Sequence, residues 1–217
     1  MLVVGGMIGA GKTTVSEVLG AELGFMVVKE KVDDSLVLPL FYTSTPDEKE
    51  KRRYPFLLQL EFLSNRFASI REALREGGRR VVMDRSIYED WYFAHINHQL
   101  GGISDLEFKI YSDLLNNMMQ AVAEIPKKAP DLFVYLRGDF DTILDRIAQR
   151  GRSFEQSPEL VSYYRKLWEG YDDWVVNCYE VSEVIEFDIS EYDLLENPES
   201  RDEFIERVRS VVPAELF

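Results

Sequence analysis

At 217 residues, 46% of them hydrophobic, the chain is long enough for one α/β domain with a buried core. Asp and Glu outnumber Lys and Arg by 39 to 25, and a net charge of −14 repels nucleic-acid polymers, which disfavours an NTPase that works on DNA or RNA. The single cysteine, Cys178, excludes a disulfide framework and a thiolate metal cluster, and no apolar run approaches the roughly 18 residues of a membrane span.

The apolar run Leu2–Gly5 reads as a first strand. It leads straight into Gly6-Met7-Ile8-Gly9-Ala10-Gly11-Lys12-Thr13, the G-x-x-x-x-G-K-[ST] pattern of a phosphate-binding P-loop. Each part has a physical task. The glycines let the backbone curl so that its N–H groups meet phosphate oxygens, Lys12 reaches the β- and γ-phosphates, and the Thr13 hydroxyl is placed to ligate Mg²⁺. Thr13–Leu23 has helical spacing through Val15, Val18, Leu19 and Leu23, so a helix N-terminus with Thr14 in its first turn aims positive potential at the same anion. The expectation is a site for ATP or GTP. With the first strand starting at Met1 or Leu2, no signal peptide fits, and a soluble cytoplasmic protein is expected.

Phe25–Lys29 is the second strand, and Glu30 follows it at the sheet edge that faces the P-loop, where a carboxylate can take a proton from an acceptor hydroxyl. Taken alone, inside Lys29-Glu30-Lys31, it reads more plainly as a surface charge. Thr43–Arg53 is polar and reads as a loop. The next helix, Tyr54–Arg75, is crowded with Leu57, Leu58, Leu60, Phe62 and Leu63, yet carries Gln59 and Arg66 two turns apart on one face. If that face is buried, the pair needs partners, and the edge of a purine or pyrimidine would supply them; if it is solvated, it needs none.

The third strand, Arg80–Asp84, ends on Asp84-Arg85-Ser86. An acidic residue closing a buried strand is where P-loop enzymes keep a carboxylate near Mg²⁺, and Arg85 would clamp the reacting oxygens. Ser86 suits a helix cap. A helix over Tyr88–Asn97 precedes a loop at His98–Ser104; His95 and His98 have no third metal ligand in view. The helix Asp105–Ala123 is followed by the stiff connector Pro126-Lys127-Lys128-Ala129-Pro130, whose lysines read as solvated, and by a fourth strand, Leu132–Leu136.

The helix Phe140–Gln149 puts Arg146 and Arg150 on one face, and Gly151 breaks it before Arg152. Arginines on such a hinge can cover a transferring phosphoryl group, although a basic helix end also favours the dipole. A helix over Leu160–Cys178, a strand at Val184–Phe187, a polar loop at Ser190–Ser200 and a helix at Arg201–Val211 complete the chain. Strands alternating with helices predict a parallel sheet of five strands in a single α/β domain spanning 1–217. The absence of N-K-x-D, D-x-x-G and L-S-G-G-Q sequences argues against GTPase switches and transporter ATPases.

In order and spacing, these residues resemble the deoxyribonucleoside kinases. The likeness rests on Gly6–Thr13, Glu30, Gln59 with Arg66, the run Asp84-Arg85-Ser86-Ile87-Tyr88-Glu89-Asp90, and Arg146, Arg150, Gly151, Arg152 and Glu155, and it covers most of residues 1–180. Val32-Asp33-Asp34, Leu38-Pro39-Leu40-Phe41-Tyr42 and Phe56-Leu57-Leu58-Gln59 are similar to the bacterial deoxyadenosine/deoxyguanosine branch. The resemblance implies a P-loop kinase fold and roles for single residues. Glu30 would be the general base for the 5′-hydroxyl, with Arg85 holding that hydroxyl and the phosphate. Tyr42 and Glu155 would bind the 3′-hydroxyl. Gln59, Arg66 and Asp90 would read the base. Arg146, Arg150 and Arg152 would form a lid, about 146–156, over ATP. Thr13 and Asp84 would serve Mg²⁺, Asp84 standing where many members have glutamate. A homodimer through Tyr54–Arg75 and Asp105–Ala123 is also implied. Thr43–Arg53 and the chain beyond Phe187 match the family poorly; the loop near 188–192 is placed near the ATP adenine with no residue assigned.

The expected activity is ATP-dependent phosphorylation of a deoxyribonucleoside, deoxyadenosine first, with deoxyguanosine or deoxycytidine as further acceptors. The nearest rival is a thymidylate-kinase-like nucleoside monophosphate kinase, which would need extra cations around an anionic acceptor where this chain offers Glu30. A non-catalytic nucleotide switch would need no acceptor pocket, and Gln59, Arg66 and Asp90 argue for one.

Overall fold

The computed structural model describes residues 1–123 and 130–217; of the stiff connector, Pro126–Ala129 with both lysines lies outside the described residues. Five strands, β1 (Leu2–Gly6), β2 (Met26–Val28), β3 (Val81–Asp84), β4 (Leu132–Arg137) and β5 (Glu183–Asp188), form one sheet in the order β2-β3-β1-β4-β5, all parallel. The run of Leu and Val in β1 and β3 is buried throughout because helices cover both faces, so these strands read as continuous apolar runs instead of alternating ones.

The helices are α1 (Lys12–Leu23), α2 (Leu38–Thr43), α3 (Pro46–Arg52), α4 (Tyr54–Glu76), α5 (Ile87–Gln99), α6 (Asp105–Ala123), α7 (Phe140–Arg150), α8 (Leu160–Glu169), α9 (Tyr171–Asn177) and α10 (Pro198–Val211). Parallel strands point their C-terminal ends to one edge. The loop after β1, Glu30 beyond β2, Asp84 at the end of β3 and the α7 arginines beyond β4 therefore meet there. No helix among the described residues is long and apolar enough to cross a membrane.

Three expectations are corrected. The polar stretch Thr43–Arg53 is not a loop: Thr45 and Glu48 close a reciprocal capping box, Pro46 occupies the first turn, and α3 runs to Arg53, whose φ of 56° ends it. The loop at Ser190–Ser200 ends early, because Asn197 caps α10. The helix expected over Leu160–Cys178 is two helices broken at Gly170. Packing keeps that position a glycine. Tyr92 donates a hydrogen bond to the Leu167 carbonyl, and a Cβ on residue 170 would lie 2.8 Å from the same tyrosine oxygen.

Substituting Gly170→Ala is therefore expected to cost about 1–3 kcal/mol through overpacking. That corresponds to a fall in Tm of several degrees at roughly 2–4 °C per kcal/mol. In a Tyr92→Phe background the same substitution should cost less, because the clashing oxygen is gone. Equal losses of Tm in both backgrounds, measured by calorimetry, would refute the role given to Tyr92.

Candidate active site

The turn after β1 needs left-handed backbone at Gly9 (φ 85°) and Gly11 (φ 93°), which glycine adopts without strain. It curls so that the buried Lys12 ammonium crosses its hollow and donates to the Gly6 and Met7 carbonyls, each at 2.9 Å. Burial, followed by the charge of Arg85, lowers the Lys12 pKa to about 8 against the pull of Glu89, Asp84 and Glu30. Thr13, one residue into α1, donates its hydroxyl to Asp84 Oδ2 at 2.6 Å. Asp84 Oδ1 is buried and has no hydrogen-bond partner. A hydroxyl beside a carboxylate with an oxygen to spare is a donor set that suits a hard divalent cation such as Mg²⁺.

Beyond β2 and β3 lies a cluster of two carboxylates and two guanidiniums. Arg66, 6% exposed on α4, donates Nε to Asp90 Oδ2 at 2.7 Å and Nη2 to Glu30 Oε1 at 2.5 Å, and its Nη1 lies 3.4 Å from the Asp84 carbonyl. Arg85 Nε stands 3.4 Å from the same Glu30 oxygen without a hydrogen bond, and its guanidinium lies 4.5 Å from the centre of the Phe93 ring. The Arg85 backbone sits at φ 79°, a costly conformation for a side-chain-bearing residue, and its N–H is tied to the Val4 carbonyl at 2.9 Å. Burial drives the Glu30 carboxyl up, but Arg85, Arg66 and Lys12 together outweigh it and hold its pKa at about 2. At Asp90 burial wins over Arg66, and the pKa rises to about 6.

Gln59 lies one side of this cluster, 2% exposed, with its Oε1 buried and unpartnered. The apolar walls of Leu58, Phe62 and Phe93 leave a slot suited to a flat ring, with one amide and one carboxylate at its polar end. Glu30, Asp84, Arg85, Asp90, Gln59 and Tyr42 line the same cavity as Ile8, Gly9, Gly11, Lys12, Thr13 and Thr14. Four predicted residues stand behind its wall. Gly6 and Met7 supply carbonyls to Lys12, Ala10 supplies one to Arg146, and Arg66 reaches the cavity only through the two carboxylates it bridges.

The three arginines at the far end of the cavity each rest on a protein acceptor. Arg146 donates to the Ala10 carbonyl (3.1 Å) and the Ile189 carbonyl (3.0 Å). Arg150 donates to Glu155 at 2.5 Å. Arg152 donates to Asp33 at 2.7 Å and lies 3.7 Å from Glu155. Tyr42 is buried, with its ring stacked on Phe154, and Tyr164 Oη donates to the Glu155 carbonyl at 3.2 Å.

Sequence reasoning missed a second cavity, which shares Gly9, Gly11 and Thr14 with the first and is closed by Ile189, Tyr192 and Leu194 after β5. No local pattern marks it; those residues reach the P-loop only through the order of strands. It also missed the anchoring of residues 35–37, whose Ser35 hydroxyl and Leu36 and Val37 N–H groups all donate to Glu61. His95 and His98 are taken up by stacking on Trp91 and Phe108.

Residues 2–213 match the family model described as deoxynucleoside kinase. The chain is 39% identical over 211 residues to the deoxyadenosine kinase of Lactobacillus acidophilus, spanning 96% of this chain and 94% of that protein. It is equally similar, at 39% over 211 residues, to the deoxyguanosine kinase of Lactobacillus johnsonii, covering 96% and 90%. The deoxyadenosine/deoxycytidine kinase of Bacillus subtilis is 33% identical over 213 residues, covering 98% and 93%. Among solved structures, the deoxyadenosine kinase from M. mycoides with bound dCTP superposes with a TM-score of 0.77 over 97% of this chain and 100% of its own, at 24% identity, a likeness of fold.

The charge cluster has a direct spectroscopic consequence. Carboxyl ¹³C NMR of the ligand-free protein should show one aspartate titrating near pH 6, a signal lost in Asp90→Asn. Glu30 should stay ionised across about pH 4 to 8, whereas an unperturbed Glu has begun to protonate by its pKa of about 4.3. A Glu30 step within that range would refute the electrostatic assignment.

Proposed function

The chain belongs to the deoxynucleoside kinase family, and from that premise we propose that it transfers the γ-phosphoryl group of ATP to the 5′-hydroxyl of a deoxyribonucleoside, deoxyadenosine first, in cytoplasmic deoxynucleotide salvage. The 5′-oxygen bonds to the γ-phosphorus, the bond from that phosphorus to the β,γ-bridging oxygen breaks, and ADP leaves. Glu30 accepts the hydroxyl proton. Lys12, Arg85, Arg146, Arg150 and Arg152 offset the charge of the phosphates, so the protein contributes chiefly positioning and electrostatics.

One observation carries this reading: an ionised Glu30, flanked by Arg66 and Arg85, shares a cavity with Lys12 of the P-loop. It also separates the reading from a monophosphate kinase. An anionic acceptor needs additional cations and no base, yet at the acceptor end of the cavity Arg66 and Arg85 are already set against the carboxylates of Glu30 and Asp90. Thr13 and Asp84 would hold Mg²⁺, which when bound neutralises phosphate charge. Tyr42 and Glu155 bind the sugar 3′-hydroxyl, and the second cavity beside Ile189 and Tyr192 takes the donor's adenine.

Base preference follows from hydrogen-bond polarity. An ionised Asp90 only accepts, and Gln59 both donates and accepts. The amino groups of adenine and cytosine satisfy Asp90, whereas the thymine carbonyl leaves two acceptors facing each other. Relatives named for deoxyadenosine and deoxycytidine fit this polarity, whereas guanine presents a carbonyl at the same edge and would need a donor there, such as the Gln59 amide. The chain acts as one domain whose segment 146–156 closes over ATP, and as a homodimer through α4 and α6. Support for the dimer comes from Leu106, Ile110 and Leu114, exposed at helical spacing on α6, and from Leu57 on α4.

Initial rates with the four deoxynucleosides and ATP–Mg²⁺ test the reading as a whole. Substituting Glu30→Gln should preserve nucleoside binding and lower kcat at least about 10²-fold, the scale of a general base; near-normal kcat refutes the role of Glu30. Replacing Arg66→Met and Asp90→Ala together should open the pocket to thymidine. A wild-type preference for thymidine, or an unchanged thymidine rate in the double variant, overturns the account of specificity.

A further inference from the structure

Glu89 lies on the first turn of α5 and is fully buried, yet it touches neither the cavity nor the reacting groups assigned above. Part of its role is local. As the third residue after Ser86 it closes a capping box, its Oε2 accepting the Ser86 N–H at 2.6 Å while Ser86 Oγ accepts the Tyr88 N–H. A cap needs no more than this, and most capping boxes lie at the surface.

Here the other oxygen reaches across the fold. Oε1 accepts the Gly6 N–H at 3.0 Å, and Tyr171, the first residue of α9, donates its hydroxyl to the same oxygen. Three donors from β1, the β3–α5 junction and α9 therefore converge on one carboxylate. A Cβ on residue 5, which lies outside the P-loop pattern, would meet Phe133 at 2.1 Å and then Glu89 Oε2 at 2.9 Å, so Phe133 first and Glu89 second crowd that position.

The three donors sit beside the chemistry. Gly6 is held on both sides, its N–H by Glu89 and its carbonyl by Lys12. Ser86 follows Arg85, whose left-handed backbone is thereby fixed between its own bond to Val4 and its neighbour's bond to Glu89. Tyr171 begins the helix that α8 connects to the segment of Arg150 and Arg152.

We propose that Glu89 is a positioning residue for phosphoryl transfer: its carboxylate sets the register of Gly6 in the P-loop against Arg85 and ties both to α9 behind the arginine segment. The proposal rests on the nucleotide-binding reading of the P-loop. A misplacement of this kind is costly, since about 1 Å at a reacting group can lower the rate by about 10²-fold.

Glu89→Gln separates positioning from capping. The amide keeps the shape, but its NH₂ group must face either the Ser86 N–H or the Gly6 and Tyr171 donors together, so at least one contact turns repulsive. The expected result is ATP affinity, titrated calorimetrically without nucleoside, weakened about tenfold or more, and kcat lowered about 10- to 100-fold with the nucleoside KM within about threefold. Ser86→Ala, which removes the other half of the cap, should lower Tm while leaving ATP affinity and kcat within about twofold. Wild-type ATP affinity and kcat in folded Glu89→Gln, or equal losses of both in Ser86→Ala, overturn the proposal. If Glu89→Gln does not fold, Tyr171→Phe removes a single donor and should lower kcat without moving the nucleoside KM; an unchanged kcat there overturns it as well. A wild-type protein that binds ATP but phosphorylates no deoxynucleoside would sink the kinase reading and leave the ATP comparison intact.

Discussion

The guanidinium of Arg66, buried between Asp90 and Glu30, is the constraint on which the acceptor side depends. Two carboxylates and, with Arg85, two guanidiniums meet at the inner end of the cavity, with Glu30 the most exposed of the four side chains. Such a cluster is expensive to bury and gives little net stability, because desolvation consumes most of the Coulombic gain. Its members are not interchangeable, since removing one leaves the others uncompensated. What the arrangement achieves is unequal proton affinity in two neighbouring carboxyls: Glu30, facing three cations, is held at about 2, and Asp90, for which burial dominates, at about 6. Environments that push two titratable groups apart are the usual way a site assigns distinct tasks to like side chains.

The fold delivers this cluster by simple means. Parallel strands end at one edge, and the residues that follow β1, β2 and β3 bring Lys12, Glu30 and Asp84-Arg85 into one neighbourhood. Helix α4 crosses behind them, and its two-turn spacing puts Gln59 at the slot and Arg66 at the charges. Backbone strain at Arg85 is part of the same construction, for a relaxed backbone would aim the guanidinium elsewhere. The bonds to Val4 and from Ser86 to Glu89 are what hold it.

Most of this was legible in the sequence where a local pattern carries a local geometry. The P-loop, the five strands and Asp84-Arg85 at the end of β3 follow from spacing alone. Thr45-Pro46-Asp47-Glu48 also carried a plain start signal for α3, obscured by the polarity of the surrounding stretch. The rest depends on contacts between segments far apart in the chain. Gly170 is the one local sign of a break, and the contact with Tyr92 that keeps it a glycine comes from another helix. Glu30 taken alone resembles a surface charge, and only Arg66 and Arg85 make it otherwise. Arg66 was expected among the base-reading residues; in the ligand-free fold its hydrogen bonds go to Asp90 and Glu30, a pairing that no local spacing announces.

A chain with net charge −14 nonetheless gathers Lys12, Arg85, Arg146, Arg150 and Arg152 around one cavity. The resolution of that contrast lies in where each cation rests. Lys12 is satisfied by Gly6 and Met7 carbonyls, Arg146 by those of Ala10 and Ile189, Arg150 by Glu155, and Arg152 by Asp33. Under the proposed function, an incoming phosphate would exchange each of these hydrogen bonds for a stronger, charge-assisted one. At these four residues no cation stands without a hydrogen bond beforehand; Arg85 differs, its buried Nε standing 3.4 Å from Glu30 without one. A concentration of positive charge inside a cleft, in a chain of net charge −14, favours a compact anion over an extended polyanion that would also meet the acidic remainder of the chain.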